Sequence, residues 1–398
     1  MITRISLLNA SMLFQGESQM SNRVDLGLLK ELKEYGHVNV EACFNCGNCT
    51  AICPLSTDET PFPRNNIRLL QVGLKERILQ STDPWLCYYC GECSETCPRD
   101  AEPAEAQMAL RRWLTAQYDW TGLGARFYTS NTWAIGVLLF MTVIVLTLIA
   151  LFHGPMETDH VELNTFAPIH IVHLADLVMA VAISLYLFMN VYRMFSFIIL
   201  KGAKVKIPLS IYLTEAWNLP YQFLTQKRFS ECEDRRPWLN HMILASGYAL
   251  MFAIIVLFLN WFQTDNLYPL FNPQRWLGYY AAAALIYGAG MAIWGRAKKD
   301  RQLHKYSQLS DWLFPILLIL LAVSGLLVHI FRYVGMPLAT YYAYVVHMIF
   351  VPSIYFVVGP MGKWAHLFYR PLAIYFQAVK EKALVAQTAP AVASVGAD

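Results

Sequence analysis

Eight of the nine cysteines stand in two runs that share one spacing. The runs are Cys43-x2-Cys46-x2-Cys49-x3-Cys53-Pro54 and Cys87-x2-Cys90-x2-Cys93-x3-Cys97-Pro98. Three thiolates at i, i+3 and i+6 can bind three corners of a [4Fe-4S] cube, and a fourth cysteine before proline ligates the other cluster. The spacing therefore predicts two clusters with crossed ligand sets: Cys43, Cys46, Cys49 and Cys97 for the first, and Cys87, Cys90, Cys93 and Cys53 for the second.

Zinc sites or a disulfide framework are the alternatives for the same cysteines. Structural zinc sites use two separated pairs of ligands, which differs from four cysteines in eleven residues that end in Cys-Pro. Disulfides need an oxidising compartment, and the apolar stretch 5–8 is too short for a signal peptide. Gly47 and Gly91 lie inside the two loops, where the backbone must pass close to a cube. The spacing favours iron–sulfur clusters.

The composition indicates a membrane protein with a polar N-terminal part. Of the 398 residues, 56% are hydrophobic and 15% are charged, whereas about 25% is usual for a soluble domain. The net charge of +3 is too small to indicate a nucleic-acid partner. Because the apolar runs begin only after about residue 130, we expect two modules.

The polar part predicts a small, loop-rich helical domain. Apolar residues recur at helical spacing over 65–74, after Pro61 and Pro63, and a second helix is expected over 104–118, after Pro103. With the clusters as its core, such a domain should not hold its fold without metal. The expected organisation is a disordered extension over 1–20, a cluster domain over 21–125, a membrane domain over 126–372 and a tail over 373–398 that is disordered beyond Lys382.

Six apolar segments are long enough to cross the membrane lipid as helices. Pro315 and Pro352 fall inside two of them, which membrane helices tolerate when neighbours satisfy the freed carbonyls. The expected spans are 132–152, 167–200, 239–262, 276–294, 311–331 and 338–358.

The charges of the loops predict the orientation in a cytoplasmic (inner) membrane. The loop 201–238 holds seven Lys or Arg residues and the loop 296–305 holds five, whereas the three alternate loops together hold two. Basic loops stay on the cytoplasmic side. With six spans, we expect the cluster domain and the C-terminus on that side too.

Histidines at two depths of the spans predict b-type haem, in which two imidazoles from facing helices bind one iron. Ionisable groups inside spans are costly and indicate function. His241 with His366 would hold an inner haem. His347 would hold an outer haem with one of three other histidines: His329, His173 or His170. Gly247 and Gly325 give a macrocycle room to approach, or are small residues at helix contacts.

Together these features predict a mainly α protein, in which a small helical ferredoxin-like domain with two [4Fe-4S] clusters precedes a six-helix transmembrane haem b bundle. The segment from Cys43 to Pro98 resembles the C subunit of heterodisulfide reductase. The run 359–371, Gly-Pro-Met-Gly-Lys-Trp-Ala-His-Leu-Phe-Tyr-Arg-Pro, with His347 upstream, resembles the last span of cytochrome b subunits related to the nitrate reductase gamma chain. This resemblance implies that His347 and His366 bind two haems and that His241 is the inner partner. The chain departs from that family at Met251, where a second ligand is expected ten residues after His241. The outer haem would therefore use another histidine, or Met251 itself, or be absent.

A fusion of these two parts resembles the membrane subunit of quinone-interacting membrane-bound oxidoreductases. The resemblance implies two soluble flavoprotein partners that carry FAD and are HdrA-like, that is, similar to the flavoprotein of heterodisulfide reductase. It also implies electron exchange between menaquinone and adenylylsulfate reductase in dissimilatory sulfur metabolism. The chain would then be an electron-transfer subunit of a quinone-dependent oxidoreductase complex.

Three alternatives remain: the membrane arm of a heterodisulfide reductase, a haem-free anchor for an iron–sulfur relay, and a redox-driven ion pump, for which Asp176 is thin support. No catalytic residue is predicted, because Gly122-Leu123-Gly124 lacks the third glycine and the preceding strand of a dinucleotide fingerprint. The ninth cysteine, Cys232, stands among acidic residues and is expected to be a free structural thiol.

Overall fold

The structure is a computed structural model that describes residues 23–393, except for 59, 204, 232–233 and 300. The described residues form a mainly helical protein, and none of them lies in a strand. The mainly α fold class is thus confirmed. The extension expected over 1–20 and the thiol of Cys232 lie outside the described residues.

Twenty-one α-helices in the described residues are numbered here in chain order. The first eleven are α1 (Leu28–Lys33), α2 (Asn48–Ile52), α3 (Arg64–Val72), α4 (Lys75–Leu79), α5 (Asp83–Leu86), α6 (Glu92–Glu95), α7 (Pro103–Tyr118), α8 (Leu123–Thr129), α9 (Asn131–Phe152), α10 (Leu163–Phe166) and α11 (Ile169–Phe195). The others are α12 (Leu209–Glu215), α13 (Asn218–Thr225), α14 (Arg236–Leu257), α15 (Leu259–Phe262), α16 (Pro273–Lys298), α17 (Gln302–Lys305), α18 (Leu309–Val334), α19 (Pro337–Pro352), α20 (Gly359–Met361) and α21 (His366–Ala393).

The chain divides into two compact units that do not follow the expected linear domains. The first unit combines Met1–Leu114 with two later segments, Val191–Thr225 and Leu367–Asp398. The second unit comprises Thr115–Asn190 and Gln226–His366. All eight cysteines of the two runs belong to the first unit, and all the candidate haem histidines belong to the second.

Helices α1, α3 and α7 give the first unit an apolar core. Their inward residues are fully or almost fully buried: Leu28, Leu32, Ile67, Leu70, Leu110, Trp113 and Leu114. Polar contacts fasten the same helices together, since Asn66 Nδ2 donates to Gln107 Oε1 at 2.9 Å and Trp113 Nε1 donates to Glu31 Oε1 at 2.8 Å. The clusters are therefore not the whole core of this unit, contrary to the expectation from the sequence.

Within the described residues, six helices are long and apolar enough to cross a membrane, which is the number of spans expected. The candidate spans are Asn131–Phe152, Ile169–Leu200, Arg236–Leu257, Pro273–Lys298, Leu309–Val334 and Pro337–Tyr355. In the second unit, α14 packs on α16, α16 on α18, and α18 on α19.

The ends of two spans differ from the expectation. The third span stops at Leu257 rather than at residue 262, because Phe258 leaves the helical conformation (φ −120°, ψ 16°) before α15 begins. The sixth span changes at Pro352 into a π-helix, Ser353–Val358. Proline lacks the N–H that would continue the α-helical ladder.

The C-terminal tail, expected to be disordered beyond Lys382, instead continues α21 to Ala393. Val379 and Ala383 on this helix are buried against Ile211 of α12. Tyr375 Oη donates to the Tyr212 carbonyl at 3.0 Å. Apolar residues of 209–215 cover one face of α21 and stabilise the helix. The Ala-rich composition of the tail did not indicate this contact.

Candidate functional site

The two cysteine runs fold in the same way. Asn45 and Tyr89, each two residues after the first cysteine of its run, have positive φ angles of 60° and 58°. Gly47 and Gly91, each after the second cysteine, have φ angles of 89° and 95°. The left-handed conformation turns each loop back on itself, so that its side chains can converge. The repeat in sequence is therefore also a repeat in backbone geometry.

Backbone amides point at sulfur in both loops. The Asn45 N–H donates to Cys43 Sγ at 3.4 Å, and the Tyr89 N–H donates to Cys87 Sγ at 3.3 Å. The Ala101 N–H donates to Cys97 Sγ, also at 3.4 Å. Such bonds stabilise thiolate ligands and tune the reduction potential of an iron–sulfur cluster.

The thiols of the first predicted ligand set lie near one another. Burial raises the pKa of the Cys49 thiol, and the neighbouring Cys43, Cys46 and Cys97 raise it further. These three neighbours are the other members of the predicted set. A thiolate among thiolates is disfavoured unless a cation stands between them, which is what the iron atoms of a cube would supply.

The second set shows the same pattern. Burial, followed by the proximity of Cys87 and Cys90, raises the pKa of Cys53 to about 12. Burial also raises the pKa of Cys93, and Cys87, Cys90, Cys53 and Cys49 add to that rise. The donor chemistry thus fits four-thiolate clusters. The ligand assignment itself stays a prediction.

The zinc and disulfide alternatives find no support in the geometry. All eight cysteines of the runs are free thiols. Within the described residues, no three His, Cys, Asp or Glu side chains converge tightly enough to hold one metal ion. In a [4Fe-4S] cube each thiolate binds a different iron, so the sulfur atoms stand further apart than around one ion.

Gln71 of α3 supports the first loop. Its Nε2 donates to the carbonyl of Cys43 at 2.8 Å and to that of Val40 at 2.9 Å. Its Oε1 accepts from Asn45 Nδ2 at 3.0 Å. Gln71 lay within the helix expected over 65–74, but nothing in its spacing indicated this role.

Arg111 of α7 supports the second loop. Its Nε donates to the Pro84 carbonyl at 2.6 Å, and Nη2 donates to the carbonyls of Cys87 and, at 3.4 Å, Trp85. Burial lowers the pKa of the Arg111 guanidinium to about 10, so it remains a cation at neutral pH. Sequence reasoning missed this residue too, because its partners are 24 to 27 positions away.

The predicted inner pair of histidines meets in the second unit. The rings of His241 and His366 have their centres 6.0 Å apart and are inclined by 68°. A metal–imidazole bond is about 2 Å long, so an iron between two rings places their centres roughly 6 Å apart. His366 Nδ1 hydrogen-bonds the Lys363 carbonyl. Because a carbonyl only accepts, Nδ1 carries the proton and Nε2 keeps the lone pair that would bind iron.

His347 is oriented in a similar way. Its Nδ1 donates to the Leu321 carbonyl at 3.1 Å and lies 3.0 Å from Ser324 Oγ, which leaves the Nε2 lone pair for a metal. A Cβ at Gly325 would lie 3.1 Å from His347 Cε1, so this glycine makes room for the imidazole. At Gly247, by contrast, a Cβ would lie 2.7 Å from Ala284 Cβ. Gly247 is thus a contact between α14 and α16.

The three candidates for the outer partner differ in environment. His329 Nε2 accepts from Tyr279 Oη at 2.8 Å, and that oxygen accepts from Arg275. His170 is exposed. His173 Nε2 is buried and makes no hydrogen bond within the described residues. Met251 packs in an apolar cluster with Ala134 and Leu285. Of the three histidines, His173 has a buried ring nitrogen with no hydrogen bond within the described residues, and its role as a ligand stays a prediction.

A buried ion pair that sequence reasoning missed lies beside the inner histidines. Lys363 Nζ lies 3.1 Å from Asp311 Oδ1, and the Asp311 side chain is only 4% exposed. Asp311 also accepts from the Gln308 N–H at 2.9 Å at the start of α18. The ion pair holds Lys363 in place, and the carbonyl of Lys363 accepts the hydrogen bond that orients His366.

Comparison with known proteins supports iron–sulfur clusters in the first unit. Residues 39–101 match the family described as a 4Fe-4S dicluster domain. A protein of Archaeoglobus profundus, named for its likeness to the C subunit of heterodisulfide reductase, is 32% identical over 103 residues, which are 26% of this chain and 53% of that protein. The iron–sulfur C subunit of a CoB–CoM heterodisulfide reductase of Methanopyrus kandleri is 36% identical over 74 residues, or 19% of this chain and 38% of that one.

The C subunit of an H2:CoB–CoM heterodisulfide, ferredoxin reductase of Methanothermobacter marburgensis is 40% identical over 64 residues, or 16% of this chain and 34% of that one. The chain thus spans about half the length of the first relative and little more than a third of the others. No solved structure matches the chain. These similarities support an iron–sulfur electron-transfer subunit. In this chain, six apolar helices follow the part that matches the relatives.

Proposed function

We propose that this chain is the membrane electron-transfer subunit of a quinone-linked oxidoreductase complex. Electrons would pass between menaquinone, two b haems, two [4Fe-4S] clusters and two soluble flavoprotein subunits, toward or from adenylylsulfate reductase. The proposal rests on two features found in one chain. Thiols are grouped in the two cysteine loops, and the centres of two imidazole rings lie 6.0 Å apart. Each would hold a carrier of single electrons.

The roles of the protein side chains follow from their positions. Two sets of four cysteines would bind the clusters, and the amides of Asn45 and Tyr89 would stabilise the bound sulfurs. His241 and His366 would bind the inner haem, and His347 would bind the outer one with one of His329, His173 or His170. A second substrate site would belong to other subunits, including the HdrA-like flavoproteins.

The orientation is part of the proposal. The excess of Lys and Arg in two alternate loops supports a position of the cluster domain and the C-terminus on the cytoplasmic side of the inner membrane. Soluble partners would then meet the clusters from the cytoplasm, and quinone would meet the haem domain within the lipid.

The second candidate is the membrane arm of a heterodisulfide reductase, which the names of the relatives favour. The two candidates share the carriers of this chain and differ in the soluble partners. Purification of the native complex from membranes separates them: adenylylsulfate reductase activity with menaquinol supports the first, and reduction of a thiol–disulfide substrate supports the second.

The haem assignment is tested by the dithionite-reduced minus oxidised visible spectrum of the purified chain, with haem counted per polypeptide. We expect two b haems in the wild type and one in His241→Ala and in His366→Ala. His160→Ala is the matched control, since this histidine is exposed and its Nε2 is bonded to Glu162, and should keep both. A chain with eight irons but no haem would leave a haem-free anchor for an iron–sulfur relay and would overturn the quinone pathway.

A further inference from the structure

The two cysteine loops are held by side chains at equivalent places that differ in charge. In the first loop, Gln71 donates to the carbonyls of Cys43 and Val40, the residue three positions earlier. In the second, Arg111 donates to the carbonyls of Cys87 and Pro84, again three positions earlier. A neutral amide and a guanidinium therefore donate hydrogen bonds to equivalent carbonyl groups in two copies of one motif.

A charge at this place acts on a cluster through the ligand residue itself. Adding an electron to a cluster makes it more negative, so a nearby cation favours the reduced form and raises the reduction potential. Arg111 donates to the carbonyl of Cys87, and a guanidinium stays a cation at neutral pH in proteins. Gln71 contributes only dipoles to the first loop.

Other charges also lie near the loops. The Glu92 carboxylate lies near Cys90 and opposes the effect of Arg111, but Glu92 is exposed, so water screens its charge. Arg370 lies over the ring of Tyr88, with 4.8 Å between the guanidinium carbon and the ring centre, which adds a second cation to the second loop. The Glu105 carboxylate accepts from Tyr89 Oη, at the far end of that side chain. Near the first loop, Arg99 Nε reaches the Ala42 carbonyl only at 3.5 Å and is exposed, where water screens its charge.

Arg64 is the remaining cation near the first loop. Its Nη1 lies 3.1 Å from the position that a Cβ of Gly47 would take. Its side chain is partly exposed, so water also weakens its effect on a cluster. Removal of Arg111 is thus the substitution that should discriminate between the clusters.

We propose that Arg111 is a positioning residue that raises the reduction potential of the cluster held by Cys87, Cys90, Cys93 and Cys53, a role that Gln71 cannot have at the other cluster. At equilibrium, one electron shared by the two clusters then favours the Cys87 cluster. The exchange takes one electron from one cluster and gives it to the other, without a bond change or a proton. This inference rests on the proposed function, because it requires both clusters.

The test is a potentiometric titration of the full chain, purified with its native partners and followed by electron paramagnetic resonance. Cys90→Ser identifies the signal of the second cluster, because it replaces one ligand of that cluster only. In Arg111→Gln we expect the reduced-to-oxidised ratio of that signal at a fixed potential to fall at least tenfold, which is about 59 mV for a one-electron couple. The first signal should not shift.

Two further variants separate charge from mechanical support. Arg111→Lys keeps the cation and should leave the ratio within threefold of the wild type. Gln71→Leu removes equivalent carbonyl bonds without a change of charge, and should leave the second signal in place. Equal shifts in Arg111→Lys and Arg111→Gln, or no shift in either, would overturn the proposal.

Should Arg111→Gln assemble no second cluster, Gln71→Lys gives the reciprocal measurement. A cation introduced beside Cys43 should raise the first cluster's reduced-to-oxidised ratio at least tenfold, and an unchanged ratio would overturn the inference. Iron and sulfide counts on the wild-type chain show whether both clusters are present, which is the premise of this inference. Eight irons with insensitive potentials refute only the role of Arg111, whereas a wild type without clusters refutes the proposed function.

Discussion

Gly47 and Gly91 show how single residues shape the cluster loops. Both have φ angles in the left-handed region, which L-residues with a Cβ enter at a cost of roughly 1–2 kcal/mol. Cys46 and Cys90 directly precede these glycines, so strain at either glycine would move a predicted ligand. We therefore expect cluster assembly to depend on the missing side chain.

Gly47→Ala should lower thermal stability by about 1–2 kcal/mol and reduce iron content, because the added Cβ would also lie 3.1 Å from Arg64 Nη1. Differential scanning fluorimetry and an iron assay measure the two effects. Gly136→Ala is the control, since no atom within 4 Å would meet its Cβ and its position in α9 favours alanine. Full iron content in Gly47→Ala would show that the loop tolerates the side chain.

Residue spacing predicted that the thiols of the two runs meet, but not what surrounds them. The i, i+3, i+6 pattern is local, and the structure brings thiols of both runs near one another. Gln71 and Arg111 act on carbonyls 28 and 24 positions away. Such contacts depend on how α3 and α7 pack against the loops, and a single sequence carries no periodic signal for that packing.

At the scale of elements, Asp311 joins the start of α18 to the segment that precedes α21. Its carboxylate both caps α18 and pairs with Lys363. A buried pair gives little net stabilisation, but loss of one partner leaves a buried charge uncompensated. The arrangement of His366 should therefore depend on the charge of Asp311, through Lys363.

Asp311→Asn keeps the shape of the side chain and removes its charge, and we expect a loss of about 3–5 kcal/mol in stability with a changed spectrum of the inner haem. Thermal unfolding and the reduced-minus-oxidised spectrum report the two effects. Asp234→Asn is the matched control: it removes an exposed pair with Arg301 and should change neither readout. A wild-type spectrum in Asp311→Asn would mean that Lys363 holds its place without the carboxylate.

Hydropathy predicted the six spans, but not where an α-helix ends or gives way to a π-helix. Every span expected from the sequence has a helix in the structure, because a run of about 20 apolar residues has few alternatives in lipid. Phe258 is as apolar as its neighbours, and only its backbone angles reveal the break after α14. The persistence of α21 depends on contacts with α12, more than 160 positions away.

At the scale of the whole molecule, the first unit has two sources of stability that iron removal should separate. The loops around the cysteines depend on the metal, whereas α1, α3 and α7 share buried residues such as Ile67 and Trp113. We expect chelation of iron to remove hydrogen-exchange protection from 43–54 and 87–98 and to leave α7 protected.

Hydrogen exchange with mass spectrometry, before and after chelation under anaerobic conditions, measures this difference along the chain. Helix α16 of the second unit is the internal control, since it contains no cysteine. Equal loss of protection in the loops and in α7 would show that the clusters are the principal core of the unit, as the sequence alone suggested.

The topology that we propose for the chain rests on charge and on an even number of spans. Two loops hold twelve basic residues and the alternate loops hold two, and basic loops stay on the cytoplasmic side. Green fluorescent protein fused after Asp398 should therefore fluoresce in a bacterial host, whereas alkaline phosphatase inserted in the loop 263–272 should be active. Phosphatase fused after Asp398 is the matched control and should be inactive, because it folds only outside the cytoplasm, where its disulfides form. The reverse pattern would place the clusters outside, away from any cytoplasmic flavoprotein, and would remove the basis for the proposed partners.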